Sequence, residues 1–372
     1  MSQSQPNPSK GGPVDEALNL DITRLSDAAQ KLQENLLSKV KGQERAIRQI
    51  MKAYVPTTVS MHREGRPLGV FLFLGPTGVG KSETVKVFAQ VLLGKRDNLT
   101  KIDCNEFQED HEVMKLLGAP PSYVGYNDKP RLAQENIDRY QTKTTKLNIV
   151  LFDEIEKATP RLFDSILSIL GDGGLTLGNG KFVDFSKSFI FLTSNLGSHE
   201  VRRLIEGGGI GFKLSDADRD DLDQKIYRSS KAAVEKKFRP EFINRLDKIV
   251  VFRSLSEETL REIMQLELAK LQWRIYESPL REWSFAQGEP MPQRRSIHFK
   301  LTSPACDFVL KEGTSDLYGA RELNRTLDRY VAFPLASLIS SQQVVHGDKV
   351  KIDYVDGGSE LTFKKDGSTL IQ

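Results

Sequence analysis

The chain has 372 residues, of which 38% are hydrophobic and 28% charged, a composition typical of a globular protein with two or three compact units. Its 53 Lys and Arg nearly balance its 50 Asp and Glu, which argues against a nucleic-acid or anionic-membrane partner. Cys104 and Cys306 lack the spacing of a disulfide framework or a zinc module, and no apolar run reaches the roughly 20 residues that span a bilayer. We therefore expect a cytoplasmic location, with neither membrane nor nucleic acid as a partner.

Residues 1–24 are predicted to form a disordered tail, because the start of the chain is rich in Ser, Gln, Pro and Gly. Helical spacing then predicts helices over 25–40 and 43–61. Five β-rich runs follow and alternate with helices, at 70–74, 99–103, 148–152, 188–193 and 248–252. This alternation predicts a doubly wound, parallel five-stranded α/β sheet within a large domain over 25–253, whose ligand binds at the carboxyl ends of the strands.

The pattern changes after residue 253. A long helix is predicted to begin near Ser256 and reach about residue 276, and an irregular, Pro-containing insertion follows over 277–295. Helices at 304–312 and 320–338 and strands at 349–354 and 360–364 complete the chain. We therefore predict a smaller C-terminal α+β domain over 254–372.

A glycine-rich loop lies between the first strand and the next helix, where residues 75–82 read GPTGVGKS. Such a loop surrounds a polyphosphate with backbone N–H groups at the positive end of the helix dipole. Lys81 is expected to reach the β- and γ-phosphates, and the Ser82 hydroxyl to hold Mg²⁺. The cofactors predicted are ATP and Mg²⁺, and the loop residues predicted to bind them are Gly75, Pro76, Thr77, Gly78, Val79, Gly80, Lys81 and Ser82.

An acidic pair follows the third predicted strand. Asp153 is placed to hold the Mg²⁺ shell together with Ser82, and Glu154 to polarise the water that attacks the nucleotide. Asn195 follows the fourth strand, where its amide either hydrogen-bonds the water or the γ-phosphate, or forms an Asx turn that starts the next helix. The pair and the loop together predict hydrolysis as well as binding.

The segments GPTGVGKS, GAPPSYVGY, LFDEIEKA, LTSNLGS, KFRPEFINRLD and GARELNR together carry a family resemblance. From about residue 32 to 364 the chain closely resembles the AAA+ module of the Clp protein unfoldases, above all the second ATPase ring of their two-ring members. The resemblance implies an AAA+ fold with a smaller lid domain. It also implies a hexameric ring that hydrolyses ATP at subunit interfaces and threads unfolded or tagged proteins through a central pore.

The resemblance also implies roles for single residues. Asn195 matches the sensor 1 residue, Arg321 matches sensor 2, and Arg245 matches the arginine finger that is given to a neighbouring subunit's site. Arg239 is a weaker candidate for the finger, and for both arginines a salt bridge at the domain edge is the alternative. Val40 and Lys41 match the family segment beside adenine, although Lys41 replaces the usual apolar residue.

Three loops bear on partners. Tyr123 and Val124 match the pore loop that grips the threaded polypeptide, with local packing of Tyr123 as the alternative. The glycine-dense segment 171–180 is either a second lumen loop or a simple hairpin. Ile210, Gly211 and Phe212 resemble the tripeptide that docks Clp unfoldases onto the ClpP peptidase, and the alternative is that the apolar pair packs on its own subunit.

The function predicted is therefore an ATP-driven protein unfoldase and translocase that possibly feeds a ClpP-like peptidase. The first alternative is a chaperone or disaggregase that works without a protease. A nucleic-acid motor or loader is a second alternative, which the near-neutral charge opposes. A nucleotide-gated scaffold is a third, which the acidic pair and Arg245 oppose.

Overall fold

The computed structural model describes residues 21, 24–121, 128–198, 216–277, 296–314 and 319–365, apart from the side chains of residues 110 and 216–223. A parallel five-stranded sheet in the order β2-β3-β6-β1-β7 forms its centre, and β4 and β5 pair as a separate antiparallel hairpin. The strands are β1 Gly69–Leu74, β2 Thr100–Asp103, β3 Asn148–Asp153, β4 Gly174–Thr176, β5 Phe182–Asp184, β6 Ser188–Ser194 and β7 Lys248–Val251. The prediction of a doubly wound five-stranded sheet is therefore confirmed, and segment 171–180 contributes to the hairpin.

Helices cover both faces of this sheet because its strands are apolar on both sides, as buried parallel strands are. Phe71 and Phe73 of β1 pack into a core with α1, α2 and α3, whereas Leu72 and Leu74 pack on the opposite face with α4, α5, α6 and α7. These helices are α1 Asp27–Lys39, α2 Glu44–Thr58, α3 Lys81–Leu93, α4 Asp110–Leu117, α5 Gln134–Ile137, α6 Pro160–Asp172 and α7 Asp216–Lys237, and the short α8 Pro240–Asn244 follows.

The helix starts follow from local capping. The Ser26 side chain accepts a hydrogen bond from the Ala29 backbone N–H at the start of α1. Thr159 does the same for the Leu162 N–H at the start of α6, where Pro160 occupies the first turn. The first two predicted helices are thus present, with slightly shorter limits than predicted.

A second sheet, in the order β10-β9-β8, forms the C-terminal part with four helices. Its elements are α9 Glu257–Glu277, β8 His298–Leu301, α10 Ser303–Gly313, α11 Ala320–Leu327, α12 Phe333–Ser340, β9 Lys349–Tyr354 and β10 Leu361–Lys365. The strand β8 was not predicted. The helix predicted over 320–338 widens into a π turn over Asp328–Ala332, which ends two residues before Pro334, a residue that has no N–H to donate.

The hydrophobic cores divide the chain. Two core clusters contain only residues between Ala29 and Phe252, and the third contains only residues between Leu260 and Leu361. We propose on this basis that the boundary between the large and the small domain lies at residues 253/254. Among the described helices, none combines the length and the apolar character needed to cross a bilayer.

Candidate nucleotide site

The strand order decides which loops meet. The strand β6 lies between β1 and β3, and Leu74 of β1 is in register with Ser194 of β6. Phe152 of β3 is in register with Leu192 of the same strand. The glycine-rich loop after β1, the acidic pair after β3 and the end of β6 therefore meet at one edge of the sheet, as predicted.

The glycine-rich loop has the backbone that its sequence predicts. Gly75, Gly78 and Gly80 all have positive φ, at 144°, 81° and 101°. A Cβ on Gly75 would lie 2.8 Å from the Phe252 carbonyl oxygen, so no side chain fits there. The helix α3 begins at Lys81, directly after the loop, and directs its N-terminal N–H groups and the positive end of its dipole toward the loop.

Lys81 is buried at the centre of this site, with 8% of its surface exposed. Its Nζ donates to the carbonyl oxygens of Gly75 at 2.5 Å and Pro76 at 2.7 Å, and to Asn195 Oδ1 at 2.9 Å. Burial lowers the pKa of Lys81 to about 8, although the nearby carboxylates of Glu156, Asp153 and Glu154 act in the opposite direction. The structure thus brings together Lys81 and Asn195, two of the predicted site residues.

Asp153 is the centre of a second set of contacts. The Ser82 Oγ donates to Asp153 Oδ1 at 2.8 Å, Thr193 donates to the same oxygen, and the Lys101 Nζ lies 2.9 Å from Asp153 Oδ2. Burial raises the pKa of Asp153, but the hydrogen bonds from Lys101, Thr193 and Ser82 outweigh it and hold the pKa below its ordinary value. A hydroxyl beside an ionised carboxylate is a donor set that suits Mg²⁺, so the residues present fit the predicted ion.

Glu154 has an unusual backbone for a residue with a side chain. Its φ and ψ are 56° and 53°, in the left-handed region, and its N–H donates to Thr193 Oγ1 at 3.1 Å. Its Oε2 accepts a hydrogen bond from Asn105 Nδ2 at 2.9 Å, and the same Asn105 nitrogen lies 2.9 Å from Asp103 Oδ1. The backbone and the Asn105 amide together fix the direction of the Glu154 carboxylate.

Four residues of this site were not predicted from the sequence: Lys101, Asn105, Thr193 and Glu156. The Asn195 backbone N–H donates a hydrogen bond to Glu156 Oε1 at 3.0 Å. The other carboxylate oxygen of Glu156 is buried without a hydrogen-bond partner in the described part of the chain. Glu156 and Thr193 each lie two residues from a predicted site residue, and this proximity in sequence could have identified them. Lys101 lies in β2 and Asn105 in the short turn Cys104–Glu106 that follows it, and the sequence does not show that β2 pairs with β3.

The site opens into a cleft of about 690 Å³ between the sheet edge and the C-terminal domain. Three of the predicted site residues, Val40, Lys41 and Arg321, line it, and their roles toward the nucleotide stay predictions. Lys41 pairs with Glu262 of α9 at 3.4 Å. At the other end, the Ala320 N–H donates to the Gly78 carbonyl at 3.1 Å, and a Cβ on Gly319 would lie 3.0 Å from that oxygen. The C-terminal domain therefore touches the glycine-rich loop backbone to backbone.

The candidate arginine fingers lie away from this cleft. Arg245 Nη1 donates to the Leu167 carbonyl, its Nη2 lies 2.7 Å from Glu241, and its side chain is 25% exposed. Arg239 is 68% exposed and lies 3.7 Å from Asp164. Both arginines thus have the intramolecular contacts weighed as the alternative, and their role in a neighbouring site stays a prediction.

Two of the three predicted partner loops lie outside the residues that the structure describes. Tyr123 and Val124 of the candidate pore loop lie outside the described residues, as do Ile210, Gly211 and Phe212 of the candidate docking segment. The 1–24 tail except residues 21 and 24, and the 277–295 insertion except residue 277, also lie outside them.

Comparison with known proteins decides the family. A family model described as "AAA domain (Cdc48 subfamily)" matches residues 66–249, and the "C-terminal, D2-small domain, of ClpB protein" matches residues 286–352. The chain is 35% identical over 351 residues to the chaperone protein ClpB of Aquifex aeolicus, covering 92% of this chain and 32% of ClpB. This chain belongs to the Clp-type AAA+ ATPase family.

Two further relatives support this assignment. The ATP-dependent Clp protease ATP-binding subunit ClpA homolog of Guillardia theta is 35% identical over 337 residues, which are 90% of this chain and 38% of that protein. A structure of the S. cerevisiae Hsp104:casein complex superimposes with a TM-score of 0.71 at 31% identity, over 91% of this chain and 53% of that one. The chain spans about a third of the length of the curated relatives it matches. The prediction of an AAA+ ATPase is confirmed at the level of the family.

The lowered pKa of Lys81 predicts that the affinity for ADP, measured without magnesium, falls as the pH rises above about 8. Below that pH the free chain already carries the ammonium that a phosphate group requires, whereas above it the neutral amine must first bind a proton. The affinity should fall by up to about tenfold per pH unit. Lys81→Arg keeps its charge and should give a flat profile in the same titration with fluorescent ADP. A flat wild-type profile up to about pH 9.5 contradicts this prediction.

Proposed function

We propose that this chain hydrolyses ATP in the cleft beside the glycine-rich loop and uses the energy to unfold and translocate proteins. The observation that carries the hydrolysis is the contact set at the ends of β3 and β6. Asp153 accepts a hydrogen bond from the Ser82 hydroxyl, while Glu154 beside it is oriented by Asn105 and Thr193. A binding site alone would not need the second, separately held carboxylate.

Each group has a distinct task in this proposal. The loop N–H groups and the Lys81 ammonium bind the phosphate oxygens, and Ser82 with Asp153 holds Mg²⁺. The ion, when bound, supplies positive charge that neutralises the phosphate oxygens. Glu154 accepts the proton of the attacking water, and its fixed carboxylate needs no reorganisation to do so. Asn195 lies at hydrogen-bond distance from Lys81, where its amide orients groups near the terminal phosphate.

We propose further that the chain acts in a homo-oligomeric ring, with a hexamer as the expected form. Arg245 lies outside its own cleft, which supports a role at a neighbour's site, where a guanidinium stabilises charge on the transferring phosphoryl group. Its contacts with Leu167 and Glu241 hold it at the end of α8. Arg321 lines the cleft from the C-terminal domain and is the proposed partner of the phosphates in its own subunit.

The proposed substrates are unfolded or tagged proteins, gripped in the ring by Tyr123 and Val124. One structure that superimposes on this chain is a complex of Hsp104 with casein, which supports a polypeptide substrate. Relatives named ClpB and relatives named as subunits of a Clp protease match equally well, so both classes support the family and neither favours a peptidase. Delivery to a ClpP-like peptidase through Ile210, Gly211 and Phe212 stays a prediction, and a protease-independent chaperone or disaggregase is the alternative.

A nucleic-acid motor is the less favoured alternative, because the net charge is only +3. A cytoplasmic location remains our proposal. The described cysteines, Cys104 and Cys306, are both free thiols, which suits a reducing compartment.

Glu154→Gln should lower the rate of ATP hydrolysis by about 100-fold or more and leave nucleotide affinity unchanged, because the amide cannot accept the proton of the water. Turnover by phosphate release and affinity by fluorescent nucleotide binding test this. Glu135→Gln is the matched control, since Glu135 is exposed, pairs with Lys129 and does not line the cleft. Undiminished turnover removes Glu154 from the mechanism.

Arg245→Ala should depress turnover, and a mixture with Lys81→Ala subunits should regain part of it. In a mixed ring the Lys81→Ala subunit supplies the missing guanidinium to an intact cleft of its neighbour. Phosphate release from the two variants, measured apart and mixed, tests the prediction. If only the local contacts of Arg245 matter, mixing restores nothing.

Tyr123→Ala should keep ATP hydrolysis within about twofold and abolish unfolding of a tagged fluorescent protein, because the aromatic face provides the grip. Phe333→Ala is the control, since Phe333 is an exposed aromatic side chain of the C-terminal domain. Loss of fluorescence measures unfolding. A Tyr123→Ala chain that unfolds the substrate at the wild-type rate refutes the proposed grip.

A further inference from the structure

A second cleft, of about 700 Å³, lies beside the edge strand β7. Its walls come from the first turns of α2, from α7 and from the segment that follows β7. The helices α2 and α7 belong to opposite faces of the sheet, so the cleft opens where the sheet ends and neither helix layer covers it. None of the contacts proposed for ATP hydrolysis uses this cleft.

The lining of this cleft is strongly basic. Arg45 and Arg48 come from α2, Arg228 and Lys231 from α7, and Arg253 from the segment after β7. Glu44 is the sole acidic residue among the described lining residues. The cleft has five cationic side chains and one carboxylate, whereas the net charge of the whole chain is only +3. The positive charge is therefore concentrated locally.

Most of this charge is unpaired within the described part of the chain. Arg45, Arg48 and Arg228 form no ion pair with a described residue, and all three are exposed. Lys231 pairs with Glu235, one turn further along α7, at 3.4 Å. Like charges gathered in one concave surface repel each other and raise the local potential, and a bound anion offsets that cost.

We propose that this basic cleft binds a compact oligophosphate that is free in solution. Its volume lies within the range of about 300–1,000 Å³ typical of small-ligand sites. Guanidinium groups bind phosphate through paired N–H donors, which favours closely spaced phosphate groups over the more widely spaced carboxylates of an extended peptide. This proposal does not depend on the proposed unfolding function.

The basic cleft and the nucleotide cleft share one wall residue, Gln43. Gln43 is only 5% exposed, and its Nε2 donates to the Val79 carbonyl at 3.2 Å and to the Arg253 carbonyl at 3.0 Å. One amide group therefore joins the glycine-rich loop to the segment that carries Arg253. Two anion sites on opposite sides of Gln43 are close neighbours, and the experiment must separate them.

Inorganic tripolyphosphate is the probe, titrated calorimetrically into the full chain without magnesium at physiological ionic strength. The wild type should bind two equivalents, one of which Lys81→Ala removes. In the Lys81→Ala background, Arg45→Gln with Arg48→Gln should weaken the remaining site at least about tenfold, and Arg228→Gln should weaken it independently from the other wall. Lys300→Gln with Lys311→Gln removes two exposed lysines of the C-terminal domain and should change nothing.

Thermal unfolding of each variant checks that the fold is intact, which we expect because the substituted arginines are exposed. The proposal is overturned if the Lys81→Ala chain binds no tripolyphosphate, or if the cleft variants bind it as tightly as their control. Binding of hexaglutamate in place of tripolyphosphate overturns it as well and assigns the cleft to an acidic peptide. Tripolyphosphate binding in the basic cleft is measured without ATP hydrolysis. A failure of the proposed function therefore does not affect this test, and a failure of this test does not affect the proposed function.

Discussion

The chemistry of this chain depends on a single strand, β6, which separates the phosphate-binding strand β1 from the acidic strand β3. The end of this strand bridges the two sides: Thr193 in β6 contacts Asp153 and Glu154, and Asn195 directly after β6 contacts Lys81. The ammonium and the carboxylates are thus held apart by hydrogen-bonding side chains and do not neutralise each other directly. Asp153 pairs instead with Lys101 on the neighbouring strand, and the Lys81 ammonium has no carboxylate partner among the described residues.

The sequence predicted the fold well where a segment has a single, uninterrupted hydrophobic pattern. All five strands of the central sheet were found within two residues of their limits, because buried parallel strands are continuous apolar runs. The short strand β8 was missed because it follows the insertion and is only four residues long. The π turn before Pro334 was missed as well, because the apolar spacing of α11 and α12 continues through it.

The candidate site was predictable where its residues share a loop or a strand end. Lys81, Ser82, Asp153 and Glu154 fall in two short segments whose residue types alone indicate phosphate and metal binding. Lys101 and Asn105 could not be found this way, because their contact with the acidic pair depends on the pairing of β2 with β3. Sequence spacing does not encode strand neighbours, so the groups that orient the catalytic carboxylate became visible only in three dimensions.

The contact of Ala320 and Gly319 with the Gly78 carbonyl has a mechanical consequence. Side chains accommodate small displacements by changing rotamer, whereas backbone groups in direct contact cannot do so. A displacement of the Gly78 carbonyl therefore acts directly on the start of α11, which carries Arg321 at its second residue. The backbone contact thus couples the conformation of the nucleotide loop to the position of Arg321 in the cleft.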